Sequence, residues 1–336
     1  MKYILNETPI KTTNGFKVNN VKVDLDVPQD YSFHDYVCEN IYLLSRINNY
    51  FKSNIGLNND KYKNTEINID ENPKDIIKIE YIFENDDHLV DNIDINIKKN
   101  IETNMFINYS TSNENYHFHN GNINIDIDEY SKLNLTILNS FNNESVNLLS
   151  GIINCSNNSE VNINLIDLSG KVRIYNFKSN TSKNACSNLN NIYIGKNNEL
   201  IDLNCHYINA EGNSHNNVEV QGILDDNAIK TFKGTIDFKE DSPKSVGKEN
   251  ENCLLLSETC VSKSLPILLC HEEDVKGAHS VSSGKIDSSK LFYLMSRGLS
   301  EKEAQKLIIK SNFNSIMSNI PEELHELIDK KIDELI

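Results

Sequence analysis

His279 is the first side chain to weigh for chemistry. It stands alone in the stretch 274–298, DVKGAHSVSSGKIDSSKLFYLMSRG, where alternating aliphatic and polar residues give way to helical spacing. A neutral imidazole is an exchangeable metal ligand, released on protonation near its ordinary pKa of about 6.5. The competing reading is a turn histidine bonded to backbone, and on residue type alone that reading outweighs the ligand. The thiols come next. Seven cysteines (38, 155, 186, 205, 253, 260 and 270) are odd in number and irregularly spaced, with no CxxC pair. A disulfide framework is not expected, and a reducing cytoplasm is the default. Cys253, which opens CLLLSETC, is the second ligand candidate; a buried, aliphatic-like cysteine is its competing account. Cys260 and Cys270 are weaker. His271, Glu272, Glu273 and Asp274 have the composition of a metal cluster but read as a solvated acidic turn. His117 and His119 alternate, so they share a strand face, and they read as scattered surface histidines. Cys205 and His206 fall on opposite faces and cannot readily share a metal.

These side chains need a body to hold them. From about Thr65 the apolar period is two: Ile93, Ile95 and Ile97; Ile123, Ile125 and Ile127; Leu133, Leu135 and Ile137; Val161, Ile163 and Leu165; Val218 and Val220. Each run is short and ends in Asn, Asp, Ser or Gly, the mark of half-buried strands between turns. A sandwich, a closed barrel and a stacked solenoid can all use such strands. Few Asn-Gly pairs occur, which disfavours tight hairpins, and asparagine at corners tolerates left-handed backbone; together these give the solenoid a modest preference. After 256LSETC260, Pro266 opens a last strand, ILLC. Helical spacing begins after Asp287. Asp287 or Ser288 can cap a helix over Lys290–Arg297, with Gly298 just past its end. Ser300 and Glu303 form a capping box for a second helix through Lys310. Pro321 sits in the first turn of a third, with Leu324, Leu327, Ile328, Ile332 and Leu335 on one face. Ahead of the strands, Tyr31–Phe51 reads as a helix capped by Ser32, and Asn58-Asn59-Asp60 as a linker. The expected organisation is an N-terminal segment with one helix (1–63), a β core (64–286) and a helical domain (287–336).

The chain of 336 residues carries a formal charge of −16, which argues against a nucleic-acid surface and against docking on anionic lipid. The opening MKYILNETPIKTT has no apolar core of a signal peptide, and no run of 18 apolar residues exists to span a membrane. The excess of Asn, Ile and Lys reads as the imprint of an AT-rich genome.

Three blocks resemble the SufB/SufD family of iron–sulfur cluster assembly scaffolds. The first is the junction: Asp274-Val275-Lys276, His279, Gly284-Lys285-Ile286-Asp287, Leu291-Phe292-Tyr293-Leu294 and Ser296-Arg297-Gly298. The second is Gly222-Ile223-Leu224, Ala228, Phe232, Lys233-Gly234 and Ile236. The third is 252NCLLLS257. Their order and spacing agree with the family over about the last 120 residues; the opening Asn6-Glu7, Pro9 and Lys17-Val18-Asn19 is a fainter echo. The resemblance implies a mainly β fold, a right-handed parallel β-helix flanked by a small N-terminal α/irregular segment and a C-terminal helical domain. It implies a non-catalytic cytoplasmic scaffold that pairs with a SufB-type scaffold or with itself, docks a SufC-type ATPase on the helical domain, and carries a transient iron–sulfur cluster. Some family complexes also suggest a reduced flavin.

On this reading His279 becomes the main ligand candidate and Cys253 the weaker one. The lack of CxxC fits a transient site shared between subunits, since permanent clusters typically use four cysteines. Leu291, Phe292, Tyr293 and Arg297 are the candidates for ATPase docking; the alternative is that the aromatics pack their helix onto the β body. No Walker A sequence occurs, so ATP hydrolysis is assigned to the partner. In SufB-like chains an acidic residue commonly follows the histidine and a cysteine precedes the LLL strand. Here Ser280 and Glu251 stand at those positions, which favours SufD, although Cys253 lies two residues on and keeps a SufB-like role open. Gly277-Ala278 replaces the usual Cys-Ser, so no cysteine ligand stands there. Two other classes compete: a β-helix carbohydrate-active enzyme, which needs paired carboxylates in a groove, and a passive structural solenoid.

Overall fold

The computed structural model describes residues 2–12, 17–27, 63–85 and 87–336. The helix expected over Tyr31–Phe51 and the linker after it lie outside the described residues. Sixteen strands form two facing parallel sheets of eight. One sheet holds β3 (Lys63–Ile69), β5 (His88–Ile97), β7 (Phe118–Ile127), β9 (Val146–Cys155), β11 (Val172–Thr181), β13 (Leu200–Asn209), β15 (Ile229–Phe238) and β17 (Val261–Cys270). The other holds β4 (Ile77–Phe83), β6 (Glu102–Thr111), β8 (Lys132–Ser140), β10 (Glu160–Ser169), β12 (Cys186–Gly195), β14 (His215–Leu224), β16 (Val246–Leu255) and β18 (Lys276–Lys285). The chain alternates between the sheets, so each coil contributes one strand to each. This is the parallel β-solenoid that the alternation and corner chemistry favoured.

The interior follows from the period-two pattern. Ile95, Ile125 and Ile153 stack in register on successive coils, each buried, and repeat the same contact down the stack. Burying one such side chain contributes about 1.5–3 kcal/mol. Corners close through left-handed residues: Asn100, Asn158, Asn184 and Asn213 have φ of 63, 60, 57 and 57°. Their backbone N–H groups donate to the next corner, as Asn158 does to Lys183 O at 3.0 Å. The asparagines between corners are structural as well. Nδ2 of Asn134, Asn162 and Asn188 donates to Oδ1 of Asn104, Asn134 and Asn162 at 2.9, 2.9 and 2.7 Å, a ladder that satisfies each amide from the coil before it.

Two additions cover the outer faces. β1 (Lys2–Leu5) and β2 (Val21–Asp24) pair antiparallel, and Tyr3, Leu5, Val21 and Val23 pack on Phe118, Val146, Leu148 and Ile174. Beyond β1, Asn6 adopts φ 51°, donates to Asp202 Oδ1 at 2.6 Å, and accepts from the Lys233 ammonium at 2.9 Å. On the opposite sheet lie three helices: α1 (Ser288–Ser296), α2 (Glu301–Met317) and, after a 3₁₀ turn at Glu322–Leu324, α3 (His325–Leu335). Ile309, Phe313 and Ile316 of α2, with Ile328 and Ile332 of α3, bury against Leu138, Ile166, Ile192 and Ile223.

Several sequence readings are corrected. α2 runs to Met317, past Lys310, because Phe313 and Ile316 continue its buried stripe. Pro321 caps the 3₁₀ turn, not the α-helix, and Leu327 stays 37% exposed, off the stripe. Pro266 lies in the middle of a ten-residue strand that begins at Val261. The polar segment before CLLL is already strand from Val246, hidden from a hydrophobic count because Glu249 and Glu251 point inward.

Candidate functional site

The solenoid ends in an open coil. All ten residues of β18 are exposed and none of β17 is buried, whereas the coils below are closed over their interior. In register, His279 stands above Glu249, Val281 above Glu251 and Ser283 above Cys253. Since in-register neighbours of a parallel sheet share a face, His279 belongs to the row that looks onto the mouth of the interior. Among the described residues its ring makes no hydrogen bond. The turn-histidine reading does not describe it, because His279 lies within a strand.

Beneath the mouth lies a buried polar layer. The Lys230 ammonium contacts the Glu251 carboxylate, which also accepts from the Ser264 hydroxyl. Lys230 further donates to Ser264 Oγ at 3.2 Å and to Lys263 O at 3.3 Å, and lies 5.8 Å from the centre of the Tyr193 ring. Glu249 is 2% exposed and pairs with no cation among the described residues; burial, with the charge of Glu251 adding, pushes its carboxyl up to about 8. Its carboxyl occupies the space over Gly234, where a Cβ would lie 2.3 Å from it. Tyr193 uses Gly222 the same way, at 2.0 Å. A Gly222→Ala variant should therefore lower the thermal midpoint clearly, since a ring packed in the interior has no room to retreat; thermal unfolding beside the wild type checks it.

The candidates separate. Cys253 shares the inward face with Glu251, as its spacing implied, but is fully buried, and burial raises its thiol pKa. A protonated, enclosed thiol is a poor ligand for anything docking from outside. Cys205 is also buried and raised, by burial first and then by Glu249 and Glu251. Cys260 is buried at 9% exposure, and Cys270 is exposed at the end of β17. The acidic turn after it is solvated except for Glu272 and Val275, which are half-buried. His206 Nε2 donates to Asp237 Oδ2 at 3.1 Å, on the outer face. Among the described residues no group of three or more His, Cys, Asp or Glu is arranged to hold a metal.

The surface reading of His117 and His119 is wrong: both are fully buried. The His119 ring bridges Asp91 Oδ1 at 3.0 Å and Asn147 Oδ1 at 2.7 Å, and packs on Tyr109 at 4.3 Å. Gly121 makes the space; a Cβ there would lie 2.7 Å from His119 Nε2. The sequence signal was Gly121 two residues on, with no aliphatic to fill that row.

On the helical side, α1 buries nothing. Asp287 caps it, accepting from the backbone of Ser289 and Lys290 at 2.8 and 3.4 Å, and Gly298 ends it at φ 102°. Phe292 is 73% and Tyr293 56% exposed, so these aromatics do not pack the helix onto the β body. Arg297 lies 5.3 Å from the centre of the Tyr293 ring, and Leu291 is half-buried. Between α1 and α2 runs a cavity of about 460 Å³ lined by Tyr293, Leu294, Leu307 and Ile308.

Residues 81–312, more than half of the chain, match the family described as SUF system FeS cluster assembly, SufBD core domain. Curated relatives include the iron-sulfur cluster assembly protein SufD of Bacillus subtilis, 27% identical over 42% of this chain and 33% of its own. An iron-sulfur cluster assembly SufBD family protein of Pyrococcus horikoshii is 32% identical over 49% of this chain and 36% of its own. SufD of Escherichia coli is 28% identical over 38% and 30%. The matched stretch thus spans about a third of each relative's length.

Proposed function

The chain belongs to the SufB/SufD family of the SUF iron–sulfur cluster assembly system, and from that premise we propose that it is a SufD-like scaffold subunit whose open terminal coil meets a second scaffold and whose helix α1 docks a SufC-type ATPase. The observation that carries this reading is the contrast in exposure. Among the described residues, the fully exposed strand β18 with its half-buried neighbour β17, and the aromatic face of α1, stand out against the closed coils below. Exposed Tyr293, which lines the apolar cavity, and exposed Phe292 beside it have the character of a protein-binding anchor, because large aromatics dominate interface energetics. His279 is the chain's own donor at the scaffold-facing end. An exposed imidazole can bind and release iron as the cluster, here the cargo, is built and passed on, with the remaining ligands supplied from across the interface. A carbohydrate-active reading finds less support: the paired carboxylates Glu249 and Glu251 are enclosed, not set along a groove.

The docking half is tested by co-purification. Phe292→Ala with Tyr293→Ala removes two mostly exposed aromatics from a helix that buries nothing, at the cost of the surface contact between Tyr293 and Arg297, so the protein should melt close to the wild-type temperature yet retain a SufC-type ATPase at least tenfold less well, as for interface anchors worth more than about 1.4 kcal/mol. Undiminished retention would send the docking site elsewhere.

A further inference from the structure

A line of three donors crosses the outer face of the solenoid below its open end, and the scaffold reading leaves it unused. His206 on β13, Asp237 on β15 and His271, just past the end of β17, belong to three adjacent coils. In register Asp237 lies beside Ile208 and Leu269, so His206 stands two residues before it and His271 two residues after it, on one diagonal. The backbone of His271 is fixed there, its N–H donating to Phe238 O at 2.9 Å. The carboxylate turns one oxygen to each ring: His206 Nε2 is 3.1 Å from Oδ2, and His271 Nε2 is 3.9 Å from Oδ1. Lys239 Nζ holds Oδ2 as well, at 2.7 Å. Against the burial of Asp237, the bonds from His206 and Lys239 keep its carboxyl below the usual range. Yet its Oδ1 is buried and has no hydrogen-bond partner among the described residues. A buried carboxylate oxygen left in that state is costly unless something binds it.

We propose that His206, Asp237 and His271 bind a divalent transition-metal ion of the zinc class, with the carboxylate between two imidazoles and the remaining position open to water. Two histidines and a carboxylate are a common donor set for such ions. Donors held by one ion at about 2.0–2.2 Å in a tetrahedron stand about 3.3–3.6 Å apart. The observed spacings of 3.1 and 3.9 Å fall on either side of that range. The three groups are thus near a metal site without being set as one, and the parts that must move are free to do so. The His271 side chain is more than half exposed and that of Lys239 nearly half. His271 closes by about 0.5 Å to reach ligand spacing, and Lys239 turns its ammonium to solvent on its flexible stem. The ion takes the place of a hydrogen on Nε2 of each ring, Nδ1 keeps one, and the carboxylate stays ionised. Cys270 takes no part, because it lies in register with Phe238 on the inward face. Once bound, the ion ties the end of β17, a strand with no buried residue, to the two coils beneath it.

The test is calorimetric titration of the full chain with zinc(II), in a Cys270→Ser, His279→Ala background that removes the exposed thiol and the histidine at the mouth as competing donors. A saturable zinc site should appear. His206→Ala or His271→Ala should weaken it about 100-fold or more, the upper end of what removing even a ligand's supporting partner costs. Lys239→Ala, which frees Oδ2 of its ammonium, should tighten it, a response that zinc held elsewhere on the chain would not give. His271→Ala removes an exposed ring, so it carries the test if His206→Ala disturbs the sheet. Zinc should also raise the thermal midpoint of the background chain, by binding the folded state, and fail to do so in His271→Ala. A chain with no saturable zinc, zinc that binds unchanged in His271→Ala, or an affinity that Lys239→Ala leaves alone or lowers overturns the proposal. None of these results touches the scaffold reading, which stands or falls by co-purification.

Discussion

Arg173→Ala unfolds about 4–7 °C below the wild type, the shift that a loss of about 3–5 kcal/mol gives in a chain of this length. The guanidinium is fully buried in the interior, between Asp167 Oδ2 at 3.0 Å and Glu199 Oε2 at 2.8 Å, and it also donates to Ile194 O at 2.7 Å. Asp167 is further held by the Tyr175 hydroxyl at 2.6 Å and by Asn139 at 2.8 Å. Removing the cation leaves two carboxylates enclosed without a countercharge, and breaking a buried pair in this way costs about 3–5 kcal/mol. Burial already raises Glu199, against the pull of Arg173. Without Arg173 the carboxyls can fold cheaply only when protonated, so the deficit is smallest in acid and grows as pH rises. Replacing all three together, Arg173→Met with Asp167→Asn and Glu199→Gln, should recover most of the loss, because the penalty lies in the unpaired charge. A triple variant no better than Arg173→Ala would mean that packing, not charge, makes the difference.

Glu249→Gln should work in the opposite direction. The folded carboxyl titrates at about 8, against 4.5 for a free glutamate. Below the free value both states are protonated and the group is neutral for stability. As pH rises above it, the unfolded chain releases its proton first and the folded state loses ground, until the folded group itself ionises near 8. The glutamine variant should therefore match the wild type near pH 4.5 and exceed it by ~4 kcal/mol at pH 8. Denaturant unfolding across that range checks the prediction; a constant difference between the two proteins at every pH would show that the Glu249 carboxyl titrates alike in the folded and unfolded chain.

Much of this architecture could be read from residues alone, and the parts that could not share a physical cause. Ile95, Ile125 and Ile153 declared themselves because each aliphatic alternates with a polar residue facing out. β16 did not, because Glu249 and Glu251 take the inward places and satisfy them with Lys230, Ser264 and a neutral carboxyl. His119 was misread for the same reason: its burial depends on Asp91 and Asn147, each 28 residues away and a neighbour only once the coils stack. Pro266 marked a strand start on local rules, whereas an edge strand admits proline wherever the N–H would face outward. The caps at Asp287 and Ser300 were legible because capping is local. What α1 does with its aromatics was not, since exposure depends on where the rest of the chain packs.

The measurement that bears most directly on the account is iron and acid-labile sulfide on the SUF complex purified anaerobically from cells, with wild-type chain or with His279→Ala. The histidine is exposed and bonded to nothing in the described fold, so the variant should assemble into the same complex with the same stability. The account predicts a complex of unchanged subunit composition that has lost most of its iron and sulfide. A His279→Ala complex carrying the wild-type load would contradict it.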